Sequence, residues 1–385
     1  MPLAYQLLVA ASLTSLLGCE VPRDARSTRA VIATGDSARA ALPVHEAGAV
    51  PRNVVLMIGD GMGVTQLSAG IYSNGNYLAL ERMPYVGLHK SYASDALVTD
   101  SAAGATAFSC GEKTYNGAIG VGPDKSPCPT LLESAEAAGM PTGLVATSTI
   151  THATPAAFYA HAENRQYHEL IATQLAASGV DLFVGGGQKY FDQREEDERD
   201  LVAAMRTRGR AVGSYFDGPF AEFAPDPSAT AGFFTARDEP VPTAQGRDYL
   251  VPATRLALDY LDARDTAAAG FFLMVEGSQI DWGGHANDSE YIISELLDFG
   301  EAVDAVLDFA AADGETLVVV TADHETGGYA IQRGSSMGDI VGAFTSDYHT
   351  ADLIPVFAYG PGAERFAGIY ENTAIYDKLL PAVRP

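Results

Sequence analysis

Cationic side chains are in short supply in this chain: 24 Lys and Arg stand against 49 Asp and Glu in 385 residues, a formal charge of −25. A phosphate backbone would be repelled by such a surface, so nucleic acid is excluded as a binding partner. The excess acid fits solubility or life in salt. Cysteine is scarce, with Cys19, Cys110 and Cys128 the full set, and tryptophan occurs once, at Trp282. The chain has no internal repeat and no low-complexity tract. The glycines around Asp60 do not fit G-x-G-x-x-G, which disfavours a dinucleotide site.

Apolar residues make up 47% of the chain, enough for a buried sheet. Met1 to Gly18 reads as a targeting segment, because Leu7–Leu13 is apolar but too short to cross a bilayer. Leu16-Leu17-Gly18-Cys19 resembles a bacterial lipobox, which predicts that Cys19 is a lipidated N-terminus and that the product is an exported, periplasmic or cell-envelope lipoprotein. An ordinary cleavable signal with an incidental Cys19 is the alternative. Residues 19–50 are polar, small and charge-mixed, the composition of a flexible tether. That leaves residues 51–385 as a single large α/β domain. Cys110 and Cys128 flank the Tyr115-Asn116-Gly117 turn, and an even pair in an exported chain is most simply a disulfide. Arg194 to Arg210 reads as a solvated amphipathic helix with Leu201, Val202 and Met205 turned to the core.

Three apolar runs of buried-strand length end in ionisable groups. Asn53–Ile58 leads into Gly59-Asp60-Gly61-Met62-Gly63, Phe271–Val275 into Glu276, and Thr316–Ala322 into Asp323-His324. Ligands bind an open α/β sheet at the carboxyl ends of its strands, so Asp60, Glu276, Asp323 and His324 are expected on one edge. Taken singly, each also reads as a capping or salt-bridged residue. Asp281 and His285 stand four apart, so one helical turn aims both at one ion. His349, ahead of the strand Ile354–Tyr359, would complete a three-ligand site with an open position, the layout of catalytic zinc. Thr99-Asp100-Ser101-Ala102-Ala103 puts a hydroxyl at a helix start, where unpaired N–H groups and the dipole hold an anion. A plain N-cap is the alternative there.

Together these segments resemble the alkaline phosphatases. The matching stretches are Ile58–Gly63, Thr99–Ala103, Lys113–Gly117, His152–Ala157, Val275–Gly277, Asp281 with His285, Thr321–His324, and His349-Thr350. They run in the family's order from about Asn53 to the C-terminus. The resemblance implies a three-layer α/β/α sandwich with a mostly parallel central sheet. The family often carries a crown-like lobe, used in dimer contacts, between the equivalents of His324 and His349; only twenty-four residues lie there in this chain. A small or absent crown is therefore implied, and monomer and homodimer are both left open.

The implied activity is hydrolysis of phosphate monoesters through a phosphoserine on Ser101, with release of inorganic phosphate. The implied cofactors are two zinc ions and one magnesium ion. One zinc would be held by Asp281, His285 and His349, the other by Asp60, Asp323, His324 and the Ser101 oxygen. Magnesium would sit with Asp60, Thr154 and Glu276. Arg165 takes the phosphate-clamping position, where a guanidinium fork matches two phosphoryl oxygens. Two positions depart from the best-known bacterial pattern, which has Asp at 152 and Lys at 282; the His and Trp combination occurs in a subset of the family. His152 either ligates the third-site ion, leaving that ion's identity open, or hydrogen-bonds to a water on it. Trp282 is either an aromatic wall of the substrate pocket or a packed hydrophobe.

Three competing readings fit less well. A phosphodiesterase of the same superfamily typically has a Thr nucleophile and lacks the magnesium ligands and the clamping arginine. A sulfatase needs C/S-x-P-x-R, and Ser101-Ala102-Ala103 is not that. A non-catalytic phosphate- or metal-binding surface lipoprotein would tolerate a missing ligand, and none is missing.

Overall fold

The computed structural model describes residues 42–384. Cys19, the targeting segment and residues 19–41 of the expected tether lie outside the described residues. The elements run β1 (Asn53–Gly59), α1 (Val64–Ser73), β2 (Tyr85–Lys90), α2 (Ser101–Cys110), α3 (Leu131–Ala137), β3 (Thr142–Thr149), α4 (Ala153–Ala156), α5 (His168–Ala177) and β4 (Leu182–Gly186). Next come α6 (Lys189–Asp192), α7 (Leu201–Thr207), β5 (Ala211–Ser214), β6 (Ala231–Phe234), α8 (Leu250–Arg264), β7 (Phe272–Gly277), α9 (Gln279–His285), α10 (Ser289–Asp313) and β8 (Thr316–Thr321). The short strands β9 (Glu325–Thr326), β10 (Ala330–Ile331), β11 (Gly342–Ala343) and β12 (His349–Thr350) precede β13 (Leu353–Tyr359), β14 (Gly368–Glu371) and α11 (Thr373–Val383).

Ten strands form one sheet in the order β14-β2-β13-β8-β1-β7-β3-β4-β6-β5. β13 is antiparallel to both neighbours, and the other ladders of this sheet are parallel. β1, β7 and β8 are buried at every residue, as strands covered by helices on both faces must be. Alternate residues of β1 feed two separate cores. Val54, Leu56 and Ile58 pack with Phe108 of α2, Leu131 of α3 and Ile375 of α11. Val55 and Met57 pack with Leu258 of α8 and Phe299, Val303 and Leu307 of α10. This is the three-layer α/β/α sandwich, with β1 at the sheet's centre between β8 and β7.

Two details refine the expectations. The helix expected from Arg194 to Arg210 is confined to α7, which starts where Asp200 caps the Ala203 N–H at 2.8 Å. Leu201, Val202 and Met205 are buried as anticipated. Upstream, the side chain of Arg194 is itself buried and donates to the carbonyls of Glu169 and Tyr190 and to Asp197. Satisfying that guanidinium takes an irregular turn, with Glu198 at φ +55°, so no helix forms there. The second detail is that residues from Leu42 already lie against the domain. Leu42 N donates to Arg82 O at 3.0 Å, Gly48 N donates to Glu364 at 2.9 Å, and His45 meets the Tyr359 ring edge-on.

Cys110 and Cys128 form a disulfide with Cα atoms 5.7 Å apart. It ties the last residue of α2 to the loop beyond Gly117, and closing a loop of this length is worth about 2–4 kcal/mol. Between His324 and His349 stand only two small ladders, β9 with β12 and β10 with β11. The crown is correspondingly small. Among the described residues, no helix is long and apolar enough to cross a membrane.

Candidate active site

The carboxyl edge of the sheet gathers the predicted groups. β1 delivers Asp60 between Glu276, at the end of β7 opposite Ile58, and Asp323, two residues beyond β8. Gly61, at φ +72°, makes the turn after Asp60, and a Cβ there would meet the Asp281 backbone at 2.7 Å. The loop after β3 brings in His152 and α4 brings in Thr154, while α9 presents Asp281 and His285 one turn apart. His349 arrives on β12, whose pairing with β9 sets His349 opposite Thr326.

Ser101 opens α2, and its Oγ lies 3.3 Å from His324 Nε2. His324 Nε2 is also 3.2 Å from Asp323 and 3.6 Å from Asp60. On the other side, His285 Nδ1 donates to Asp347 O at 2.7 Å and His349 Nδ1 to Thr99 O at 2.8 Å. Those bonds keep a proton on each Nδ1 and turn both Nε2 atoms toward Asp281. The two Nε2 atoms sit 3.2 Å apart, with Asp281 oxygens 3.4 and 3.6 Å away. Lone pairs that close repel unless a cation or a proton lies between them.

The donor atoms fall into three overlapping groups whose members lie within 4.8 Å of one another: Asp281, His324 and His349; Asp60, Asp323 and His324; Asp60, His152 and Glu276. Both oxygens of Asp60, Asp323 Oδ2, Glu276 Oε1, Thr154 Oγ1 and His152 Nδ1 are buried without a hydrogen-bond partner. Orphaned oxygens and nitrogens in this density are costly unless a cation satisfies them. The residues therefore fit divalent metal ions, with mixed nitrogen and oxygen donors on one side and mainly oxygens around Glu276.

The ionisation energetics agree. Burial, with Asp323 and Asp281 nearby, holds Asp60 well above the carboxylate range. Burial lifts Glu276 to about 8 and Asp323 to about 7. Burial also works to raise Asp281, but the His285 hydrogen bond and the neighbouring imidazoles outweigh it and leave this carboxyl below its ordinary range. His324 and His349 are pushed down chiefly by burial, and His152 is brought to about 3 by burial and by Arg165. Three carboxyls that resist ionisation beside three neutral imidazoles make a pocket that gains charge only together with a cation.

Arg165 reaches this pocket from the loop after α4. One nitrogen donates to Asp100 Oδ2 and the other to His152 Nε2, each at 3.1 Å. Asp100 was legible only as a helix cap, and it does cap Ala103 N with Oδ1; its second oxygen takes Gly117 N and Arg165. Thr326 was not anticipated at all. Its hydroxyl donates to Asp281 at 2.5 Å and lies 3.3 Å from His324 Nδ1, linking ligands of two groups. Ser148 and Ser278 likewise go unsignalled in sequence, yet Ser148 donates to Glu276 and Ser278 to Ser148. Trp282, half-buried on α9, meets the His152 ring edge-on at 6.3 Å. The two departures from the common pattern are thus neighbours.

Comparison with known proteins follows the same lines. The family model described as alkaline phosphatase matches residues 51–343. Alkaline phosphatase 3 of Bacillus subtilis (strain 168) is 34% identical over 420 residues, covering 86% of this chain and 89% of the relative.

The chain belongs to the alkaline phosphatase family.

Its activity is accordingly the hydrolysis of phosphate monoesters. Among solved structures, alkaline phosphatase from the Antarctic bacterium TAB5 is 43% identical with a TM-score of 0.80, covering 87% of this chain and 98% of that one. A histidine-to-aspartate mutant of the TAB5 enzyme, 42% identical with a TM-score of 0.80 over 87% of this chain and 99% of that one, has Mg bound in a site named M3.

Proposed function

We propose that Ser101 is the nucleophile of a phosphoserine mechanism and that the donors of the three groups, together with His285 beside Asp281 and His349, hold two zinc ions and one magnesium ion. Asp281, His285 and His349 would hold one zinc, and Asp60, Asp323, His324 and the Ser101 oxygen the other. Asp60, Glu276 and Thr154 would hold magnesium. The observation that carries this reading is the set of buried, unpartnered donor atoms converging beside Ser101. Cations there supply Lewis acidity, offsetting charge on the attacking and leaving oxygens of an in-line displacement and easing ionisation of a hydroxyl or water near neutral pH.

The chain's own residues do the rest. Ser101 Oγ attacks phosphorus, the bond to the ester oxygen breaks, and water later cleaves the Ser101 phosphoester to release phosphate. Ser101 opens α2, where the helix dipole favours the developing charge. Arg165, held by Asp100, offers its fork to two non-bridging oxygens. Gripping them means giving up its bond to His152.

His152 has a single lone pair when neutral. Serving Arg165 and ligating the third-site ion are therefore exclusive, and a charged carboxylate at 152 would bind magnesium more firmly than imidazole does. The TAB5 mutant with Mg supports this reading. His152→Asp is expected to retain about one magnesium per chain through desalting where the wild type retains less, as read by elemental analysis; equal content in the two would count against a role for residue 152 at that site.

Residues 51–385, with 42–50 packed against them, would form the catalytic domain of an exported enzyme, tethered by residues 19–41 and anchored through Cys19. The decisive assay of function compares inorganic phosphate released from phenyl phosphate with hydrolysis of diphenyl phosphate, each with and without chelator. Much faster release from the monoester, abolished by chelation, is expected. Equal rates on the diester, or activity that survives exhaustive chelation, would overturn the reading.

A further inference from the structure

Tyr348 sits in the chain between Asp347, whose carbonyl orients His285, and His349 itself. Its ring lies parallel to the His349 imidazole, with centroids 4.3 Å apart and planes 9° from coplanar, and 5.8 Å from the His285 ring. The residue is nevertheless 48% exposed. With one face resting on His349, that exposure belongs to the opposite face and the ring edge.

The backbone that carries the ring is also pinned. Tyr348 O accepts from Gly327 N at 2.9 Å, Tyr348 N donates to Ser346 Oγ at 2.9 Å, and Ser346 N and Thr345 N both donate to Gly327 O. Gly327 follows Thr326 directly, so the platform is fixed to the same short segment that positions His324 and Asp281. A planar surface fixed in advance costs little ordering when something stacks on it.

We infer that Tyr348 is the leaving-group platform of this phosphatase and that it favours monoesters of phenols, whose ring is joined directly to the bridging oxygen, over alkyl monoesters. The inference rests on the reading above: with the Ser101 oxygen held by the other group, the one formed by Asp281, His285 and His349 is left for the leaving oxygen. An ester oxygen delivered to that group lies beside the two imidazoles Tyr348 adjoins, so a ring on the oxygen is placed against the exposed edge of Tyr348. An alkyl chain there forfeits the aromatic contact, and inorganic phosphate has no leaving group to place.

Aromatic pairs, edge-to-face as well as stacked, contribute roughly 0.5–1.5 kcal/mol beyond area burial, about two- to tenfold in a rate or binding constant. The test measures kcat and KM for phenyl phosphate and n-propyl phosphate, and the inhibition constant of inorganic phosphate, on metal-loaded wild type, Tyr348→Phe and Tyr348→Leu. Phenylalanine should keep the wild-type preference. Leucine should lower kcat/KM for phenyl phosphate by about five- to tenfold, chiefly through KM. In the same variant, n-propyl phosphate and phosphate inhibition should stay within about twofold. A parallel loss on both esters, or a shift in phosphate inhibition, would make Tyr348 a support for His349 and overturn the inference, as would an unchanged preference. Wild type inactive on both esters would remove the phosphatase reading and this inference together, whereas an active wild type with a parallel loss removes this inference alone.

Discussion

Ser101→Ala is expected to lower turnover of a simple monoester by a factor on the order of 10³ or more, because removing a covalent nucleophile leaves only binding and electrostatic stabilisation. Metal content should change little. The carboxylates and imidazoles that make up the donor groups are untouched, and in the proposed reading Ser101 would add only one oxygen to one of them. Nor should the fold suffer, since Ser101 is the first residue of α2 and the cap is made by Asp100. Steady-state kinetics with elemental analysis of the same sample checks both halves. A rate near wild type would end the phosphoserine scheme, and loss of metal together with activity would assign Ser101 a role in holding the site instead.

Exhaustive chelation is expected to abolish activity and lower the melting temperature together. Asp60, Asp323 and Glu276 are wholly buried and crowd one another, and in the absence of a cation each is driven toward its neutral form by burial and by its neighbours' charges. Ions bound only by the folded state stabilise it by mass action, about 4 kcal/mol for each ion present at a thousandfold over its dissociation constant. Losing even two such ions should move the transition by several degrees, and readdition of zinc and magnesium should restore it. Calorimetry of holo, stripped and reloaded protein makes the comparison. An unchanged melting temperature after verified metal loss would mean that these buried donors are satisfied in some other way.

How much of this was legible in the sequence depended on distance along the chain. β1, β7 and β8 could be read because strands buried on both faces are continuous apolar runs, and because each run stops abruptly at an ionisable residue. Asp281 and His285 could be read from their spacing on one helical turn. Other features depend on contacts that no local pattern records. Asp100 showed only its capping half, because its second oxygen serves Gly117 and Arg165, 17 and 65 residues away. The roles given to Thr154 and Arg165 came from family resemblance; neither carries a periodicity or a motif of its own. The helix expected over Arg194 to Arg210 failed in its first half because a buried guanidinium demanded backbone carbonyls, a tertiary need that charge patterning cannot show. Likewise His152 and Trp282 were each noticed as departures, but their contact across 130 positions appears only in the fold.

The most direct test of the central claim is to trap the covalent intermediate. Metal-loaded enzyme mixed with radiolabelled phosphate at low pH, quenched in acid and digested, should yield label on the single peptide that contains Ser101, and none when Ser101→Ala is treated in the same way. Absence of label in an enzyme that turns over, or label on any other residue, would contradict the account.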